Sequence, residues 1–364
     1  MTSLRTVQVW GVLTKAGTIG LGILQTAIVL RILEPEAYGI VGIVVSLGAL
    51  VGVSQHVGVV DAAIREIAVA DTARRRVTVF WVSLWFRCAV TVPISLGLLL
   101  LAPWIGERIY PFPDIPALVR LMSGILVLYG IQGVLGGAYT GQRAFGLLYV
   151  LQLVVALVNV PLFAFLTKAH GVRGFFEAQI LAAIVFCILL VIFLRRALGG
   201  SLVHPRRSEI HEVFMDILHT GGWTYVARIL SVAWQRVPVL LLGRWASPEV
   251  VGMFSVALTF GSKLQLLAAA LGEVNLAFLS NAFARSQIVF RRLAARTLGD
   301  VGAITLVGAL LLVLFADVLV PLLAGQQYRE AIPLIPAVTW AYAAFAFLDI
   351  ASNTLFVPSR HAHL

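Results

Sequence analysis

The segment Arg31-Ile-Leu-Glu-Pro35-Glu36-Ala-Tyr-Gly39 recurs as Arg244-Trp-Ala-Ser-Pro248-Glu249-Val-Val-Gly252, at an offset of 213 residues. Both read R-x3-P-E-x2-G, and each lies between two long apolar runs. Proline followed shortly by glycine suits a tight link between helices. At the same offset Lys15 falls on Arg228, and Asp61 falls one residue from Glu273. The basic cluster Arg74–Arg76 falls beside Arg291 and Arg292. A short match alone is weak; its extension to charges deep inside apolar runs predicts a duplicated, parallel multi-helix unit, as in membrane proteins built from two related halves.

The composition around this repeat fits only a bilayer. Of 364 residues, 60% are hydrophobic and 12% charged, with mean hydropathy +0.96. An ordinary soluble domain carries about 25% charged residues. The runs are continuous rather than alternating, which excludes a β-barrel and leaves an all-α polytopic membrane protein. We read about 10 transmembrane helices: 7–30, 39–62, 77–103, 117–140, 146–167, 174–194, 218–243, 251–275, 296–323 and 332–356. The net charge of +10 then describes topology, with no nucleic acid as partner. With the N-terminus inside, the outer loops hold Arg31, Arg108, Arg120, Lys168, Arg173, Arg244 and Arg329. The inner loops hold roughly twice as many cations, which favours that orientation. Cys88 and Cys187 lie in apolar runs and the histidines are scattered, so neither a disulfide framework nor a metal site is expected.

The repeat divides the chain into 1–197, a bundle of six helices, a cytoplasmic linker 198–217, and 218–364. In the linker, Ile210, Val213, Phe214, Ile217 and Leu218 share one helical face, which suggests an amphipathic interfacial helix. Residue 364 corresponds to residue 151 of the first half, so the second bundle is expected to hold four helices and to lack its last two.

Five cations fall within spans: Lys15, Arg87, Arg228, Arg236 and Lys263. Each costs several kcal/mol, about 2.5–3.5 on insertion scales, unless it faces a cavity or a partner. Lys15, Thr18 and Gln25 form one helical stripe; Tyr225, Arg228, Ser231 and Gln235 form another, with Arg236 on its flank. These stripes are expected to line a central cavity that takes a phosphate or diphosphate, with Lys15, Arg228, Arg236 and Lys263 as its cations. Arg87 lacks a repeat counterpart of like charge and reads as structural; its equivalent is Asp300. Asp61 and Glu273, near inner span ends, are the candidates for coupling to a proton or sodium ion, and no cofactor is expected.

The segments Val29-Leu-Arg31 through Gly39, Gly58-Val-Val-Asp61-Ala-Ala-Ile-Arg65-Glu66-Ile, and Leu241-Leu-Gly-Arg244 through Ala257 resemble the polysaccharide transporter (oligosaccharide flippase) branch of the multidrug/oligosaccharidyl-lipid/polysaccharide exporter superfamily. The resemblance implies two pseudo-symmetric six-helix bundles arranged as a V. It also implies a non-enzymatic flippase of the bacterial inner membrane. Such a protein carries undecaprenyl-diphosphate-linked sugar units to the outer leaflet for O-antigen, capsule or exopolysaccharide. Its partners would be that lipid-linked oligosaccharide, membrane lipids, a polymerase and glycosyltransferases. The alternatives are a membrane-embedded polymerase or ligase, which the short outer loops disfavour, and a drug or cation antiporter, for which a basic cavity is poorly suited.

Overall fold

The computed structural model describes residues 4–55, 58–198, 214 and 222–355. Among them the chain is helical throughout, with eleven α-helices: α1 (Leu4–Ile32), α2 (Pro35–Val53), α3 (Val59–Val69), α4 (Ala73–Trp104), α5 (Ile115–Gly141), α6 (Phe145–Leu198), α7 (Gly222–Trp245), α8 (Pro248–Arg285), α9 (Gln287–Leu314), α10 (Ala316–Leu323) and α11 (Ile335–Leu355). A π-turn (Ile105–Ile109) follows α4, and a 3-10 segment (Gln326–Leu334) precedes α11. Six helices in the described residues are long and apolar enough to cross a membrane: α2, α4, α5, α6, α9 and the 3-10/α11 unit. The helix α7 carries Arg228, Arg236 and Arg244, which lower its hydropathy. Many apolar side chains face outward, among them Leu100 (78% exposed) and Phe165 (73%). A surface of that character requires lipid.

The repeat is visible in the element boundaries. The helix α1 ends at Ile32 and α2 begins at Pro35; α7 ends at Trp245 and α8 begins at Pro248, the same offset. Even the closing hydrogen bonds correspond: Leu33 N donates to Val29 O at 2.9 Å, and Ala246 N to Leu242 O at 2.7 Å. Proline is well placed at a helix start, where its missing N–H is not needed. The starts of α4 and α9 also match, each capped by a hydroxyl. Thr72 accepts from Arg75 N at 3.2 Å, and Ser286 from Val289 N at 3.5 Å.

The structure corrects three expected spans. The run 39–62 is two helices, because α2 ends at Val53 and Gly58, at φ 68° and ψ 2°, opens α3 in the left-handed region that favours glycine. Asp61 therefore sits in the first turn of a short helix, where the positive end of the helix dipole suits a carboxylate. The run 296–323 breaks at Phe315 into α9 and α10, and the last span opens as a 3-10 segment. The helix α6 contains the two expected spans 146–167 and 174–194. Gly171, at φ 58° and ψ −132°, breaks it. At Gly174, just beyond, a Cβ would lie 1.9 Å from Leu166 O, so the chain can double back there only without a side chain.

The chain forms two compact units, Met1–Pro248 and Glu249–Leu364. In the first, α5 packs between α4 and α6, α1 lies on α6, and α7 lies on α2. The main core gathers Val59, Phe80, Val134, Leu135 and Leu190 around Tyr139, whose hydroxyl donates to Leu190 O at 2.6 Å. Phe214, the linker residue that is described, meets Phe86 edge-on with ring centroids 5.2 Å apart; the rest of the expected amphipathic helix lies outside the described residues. In the second unit α9 packs along α11. Its small clusters include Val301, Ala346 and Ile350, and Leu264, Ala309 and Ala343. The compact units and the repeat-based halves are different partitions. The first helix of the second repeat, α7, is held to the first unit by Gly243, which sits close against Ile43, and by Tyr110 Oη donating to Leu240 O at 3.1 Å.

Candidate functional site: a three-arginine cavity

A cavity of about 370 Å³ lies within the first unit, walled by α2, α4, α5, α6 and α7. Its charged lining, among the described residues, is Arg87, Arg228 and Arg236, with no carboxylate. The helix α7 presents Arg228, Val232 and Arg236 at i, i+4 and i+8, one continuous face. On α2, Gly48 and Gly52 also line the cavity. Their missing side chains let Met122 and Leu126 of α5 approach closely.

Arg87 is 2% exposed and Gln55 1%, so these two form the deepest polar pair of the site. The guanidinium Nη1 of Arg87 donates to the backbone carbonyl of Gln55, just beyond the end of α2. Two further donors on this pair, Arg87 Nε and Gln55 Nε2, are buried without a hydrogen-bond partner. A buried guanidinium with spare N–H groups carries a large desolvation cost that an anion would offset. Arg228 reaches Asp61 of α3 at 3.7 Å, but both side chains are about half exposed, 48% and 49%. Such a pair contributes at most about 1 kcal/mol.

The other expected site residues are spread more widely. Lys15 lies on α1 and Glu273 on α8, but their side chains are outside the described residues. Thr18 donates its hydroxyl back to Thr14 O at 2.9 Å. Gln25 lines a second cavity, described below. Tyr225 Oη reaches Ser54 O at 3.5 Å, and Gln235 Nε2 reaches Ser231 Oγ at 3.5 Å; none of these three lines the arginine cavity. Lys263, half-buried on α8, belongs to the second unit. Asp300 forms an exposed pair with Arg296 at 3.8 Å, within its own helix.

Sequence reasoning did not place Arg87, Gln55, Tyr129 or Gln179 in the lining of this cavity. The last two meet across the cavity wall, where Gln179 Nε2 donates to Tyr129 Oη at 2.7 Å. A lone amide within an apolar run was the only signal for Gln179, and its partner is 50 residues away.

The sequence matches the family described as "Polysaccharide biosynthesis protein" over residues 28–333. The chain belongs to that family. No curated protein matches it. Its fold is shared with solved membrane transporters. An inward-facing multidrug resistance MATE family transporter of the MOP superfamily is 16% identical with a TM-score of 0.76, covering 94% of this chain and 81% of that one. The eukaryotic MATE transporter AtDTX14 is 14% identical at a TM-score of 0.69, covering 97% and 84%. A MOP superfamily transporter from Pyrococcus furiosus, described as having a binding pocket of reverse polarity, is 16% identical at 0.51, covering 99% and 81%. The polysaccharide biosynthesis protein is thus a multi-pass membrane protein, and its fold is that of solved membrane transporters.

Proposed function

We propose that this polysaccharide biosynthesis protein is a flippase. It would carry prenyl-diphosphate-linked oligosaccharide from the inner to the outer leaflet of a bacterial plasma membrane, with its N-terminus cytoplasmic. The observation that supports this most is the arginine cavity without a lining carboxylate. A diphosphate is the anion that best suits three guanidinium groups, each offering a planar fork to phosphate oxygens. Arg87 gives the deepest contact, while Arg228 and Arg236, two helical turns apart, follow the diphosphate along α7. Lys15 and Lys263 remain candidates for a later contact in the cycle.

The Asp61–Arg228 pair gives the entry step a physical form. A weak, half-exposed carboxylate partner yields readily to a doubly charged diphosphate, and Asp61 re-engages Arg228 when the substrate leaves. Asp61 and Glu273 are the sites through which a proton or sodium ion would couple to that exchange. Transport would proceed by alternating access, the prenyl tail staying in lipid and the polar part crossing. The basic lining argues against an organic cation as substrate, which would need a carboxylate to meet it.

The test is Arg228→Glu in the producing cell. Polymer export is expected to fall at least tenfold, with lipid-linked units accumulating on the inner leaflet and protein levels maintained. Normal export from a well-expressed variant would refute the assignment. Accumulation of single units on the outer leaflet would point to a polymerase instead.

A further inference from the structure

A second cavity, of about 270 Å³, lies among α1, α5 and both limbs of α6. It shares Tyr129 and Gln179 with the arginine cavity, so the two compartments meet at one wall. Their chemistry is opposite. The second cavity is lined by four amides, Gln25, Gln132, Asn159 and Gln179, by the Tyr129 hydroxyl and by phenylalanine rings, with no charged group among its described lining residues.

The hydrogen bonds already formed show what the cavity still offers. Gln132 Nε2 donates to Ala183 O at 2.9 Å, and Gln179 Nε2 to Tyr129 Oη at 2.7 Å. Those contacts use amide N–H groups and leave oxygen acceptors. Asn159 Oδ1 and Gln179 Oε1 are buried with no donor in reach. Because Tyr129 accepts from Gln179, its own O–H proton remains free to point elsewhere. Phe163 and Phe175 stand edge to face, centroids 5.3 Å apart, and add an apolar wall.

We propose that this second cavity is a subsite for a neutral sugar ring of the transported unit. This rests on the reading of the neighbouring cavity as the diphosphate site. Sugar hydroxyls supply the donors that the amide oxygens lack, and the C–H face of the ring suits the phenylalanines. A phosphate brings only acceptors, which repel those oxygens, and a wholly apolar ligand leaves them unsatisfied. The volume is several times the ~30 Å³ share of one water molecule. The shared Tyr129–Gln179 wall places the sugar beside the diphosphate, as it is in the covalent substrate.

The test uses the full chain in nanodiscs and two kinds of probe: undecaprenyl diphosphate, and the same lipid bearing glucose, galactose or N-acetylglucosamine. At least one glycosylated probe is expected to bind about tenfold tighter than the bare one, as two or three new hydrogen bonds imply. Asn159→Leu is expected to abolish that increment and leave bare-lipid binding unchanged. Asn159→Ser, which keeps a polar atom, is expected to recover part of it and secures the result if the leucine variant fails to fold. Arg236→Gln is expected to weaken both kinds of probe alike. If it weakens neither while the asparagine effect persists, the diphosphate placement falls and the sugar subsite stands. If no glycosylated probe binds tighter than the bare lipid, or Asn159→Leu leaves the increment intact, the proposal is overturned. Stabilisation by sodium that depends on Asn159, without any sugar increment, would overturn it in favour of a cation site.

Discussion

Replacing Arg87 with methionine separates two roles that this side chain could combine. Its Nη1 serves the Gln55 carbonyl, its Nε is buried without a hydrogen-bond partner, and the residue lines the cavity. A structural arginine would affect stability alone. Removing it orphans a buried carbonyl, at about 1–3 kcal/mol, but also relieves a desolvated charge, so the net loss of stability is expected to stay under about 2 kcal/mol. An anion-binding arginine would in addition carry a charge-assisted hydrogen bond to the ligand, about 1.5–3 kcal/mol, or roughly tenfold to a hundredfold in affinity. Undecaprenyl diphosphate binding to protein in nanodiscs, measured beside thermal melting, reads both quantities on the same sample. Arg87→Lys refines the result: it retains the charge but not the planar fork, so its loss of affinity is expected to fall between the two. If Arg87→Met binds the lipid within twofold of the parent, whatever its melting temperature, Arg87 takes no part in anion binding and the deep end of the site is misassigned.

Asp61→Asn removes the carboxylate paired with Arg228, which on the proposed flippase reading competes with substrate. Diphosphate affinity is expected to rise by up to about fivefold, with less than about 1 kcal/mol lost in stability, since the pair is half exposed; weaker binding would refute the competition. Gly171→Ala puts a Cβ at φ 58° and ψ −132° and is expected to destabilise by about 1–3 kcal/mol, read as a fall in melting temperature. Gly243→Val drives a side chain into Ile43, whose Cδ1 lies 2.8 Å from the built Cβ. It is expected to part α7 from α2 and weaken diphosphate binding without altering an arginine; unchanged binding would detach the cavity from that packing.

The sequence carried the fold where the signal was periodic or repeated. The R-x3-P-E-x2-G turns mark the ends of α1 and α7 and the starts of α2 and α8, because proline and the tight link are local chemistry. Gly171 was legible as a break for the same reason. The break at 54–58 was not legible, because Val51, Gly52 and Val53 before it and Val59 and Val60 after it read as one apolar run. The site divides likewise. Arg228 and Arg236 stand out as charges in a span, and both line the cavity. Helical spacing put Arg236 beside the stripe of Ser231 and Gln235. The observed face runs through Val232 instead, because packing of α7 on α2 sets the rotation and composition does not. Arg87 reads as structural for want of a like-charged repeat partner, and its hydrogen bond to the Gln55 carbonyl fits that reading; its place in the cavity lining was not legible from symmetry, because the cavity joins four helices of the first repeat to one of the second.

That last point has a physical basis in where the two repeats differ. The helix α8 runs unbroken from Pro248 to Arg285, 38 residues or about 57 Å, well beyond the ~30 Å hydrocarbon core. Its counterpart in the first repeat is interrupted after Val53 and restarted at Val59. A continuous helix would have committed the Gln55 carbonyl to its own ladder. The interruption frees that carbonyl for Arg87 and lets a buried guanidinium be tolerated with Nη1 satisfied and Nε spare. It also starts a new helix whose first turn carries Asp61 within reach of Arg228. Both the burial of Arg87 and the placing of Asp61 beside Arg228 thus depend on one break of symmetry. Restoring helical continuity there, by replacing Gly58 with alanine and so penalising the left-handed turn, is expected to lower diphosphate affinity more than it lowers the melting temperature would suggest. Equal, proportionate losses in both would show that the break serves folding alone.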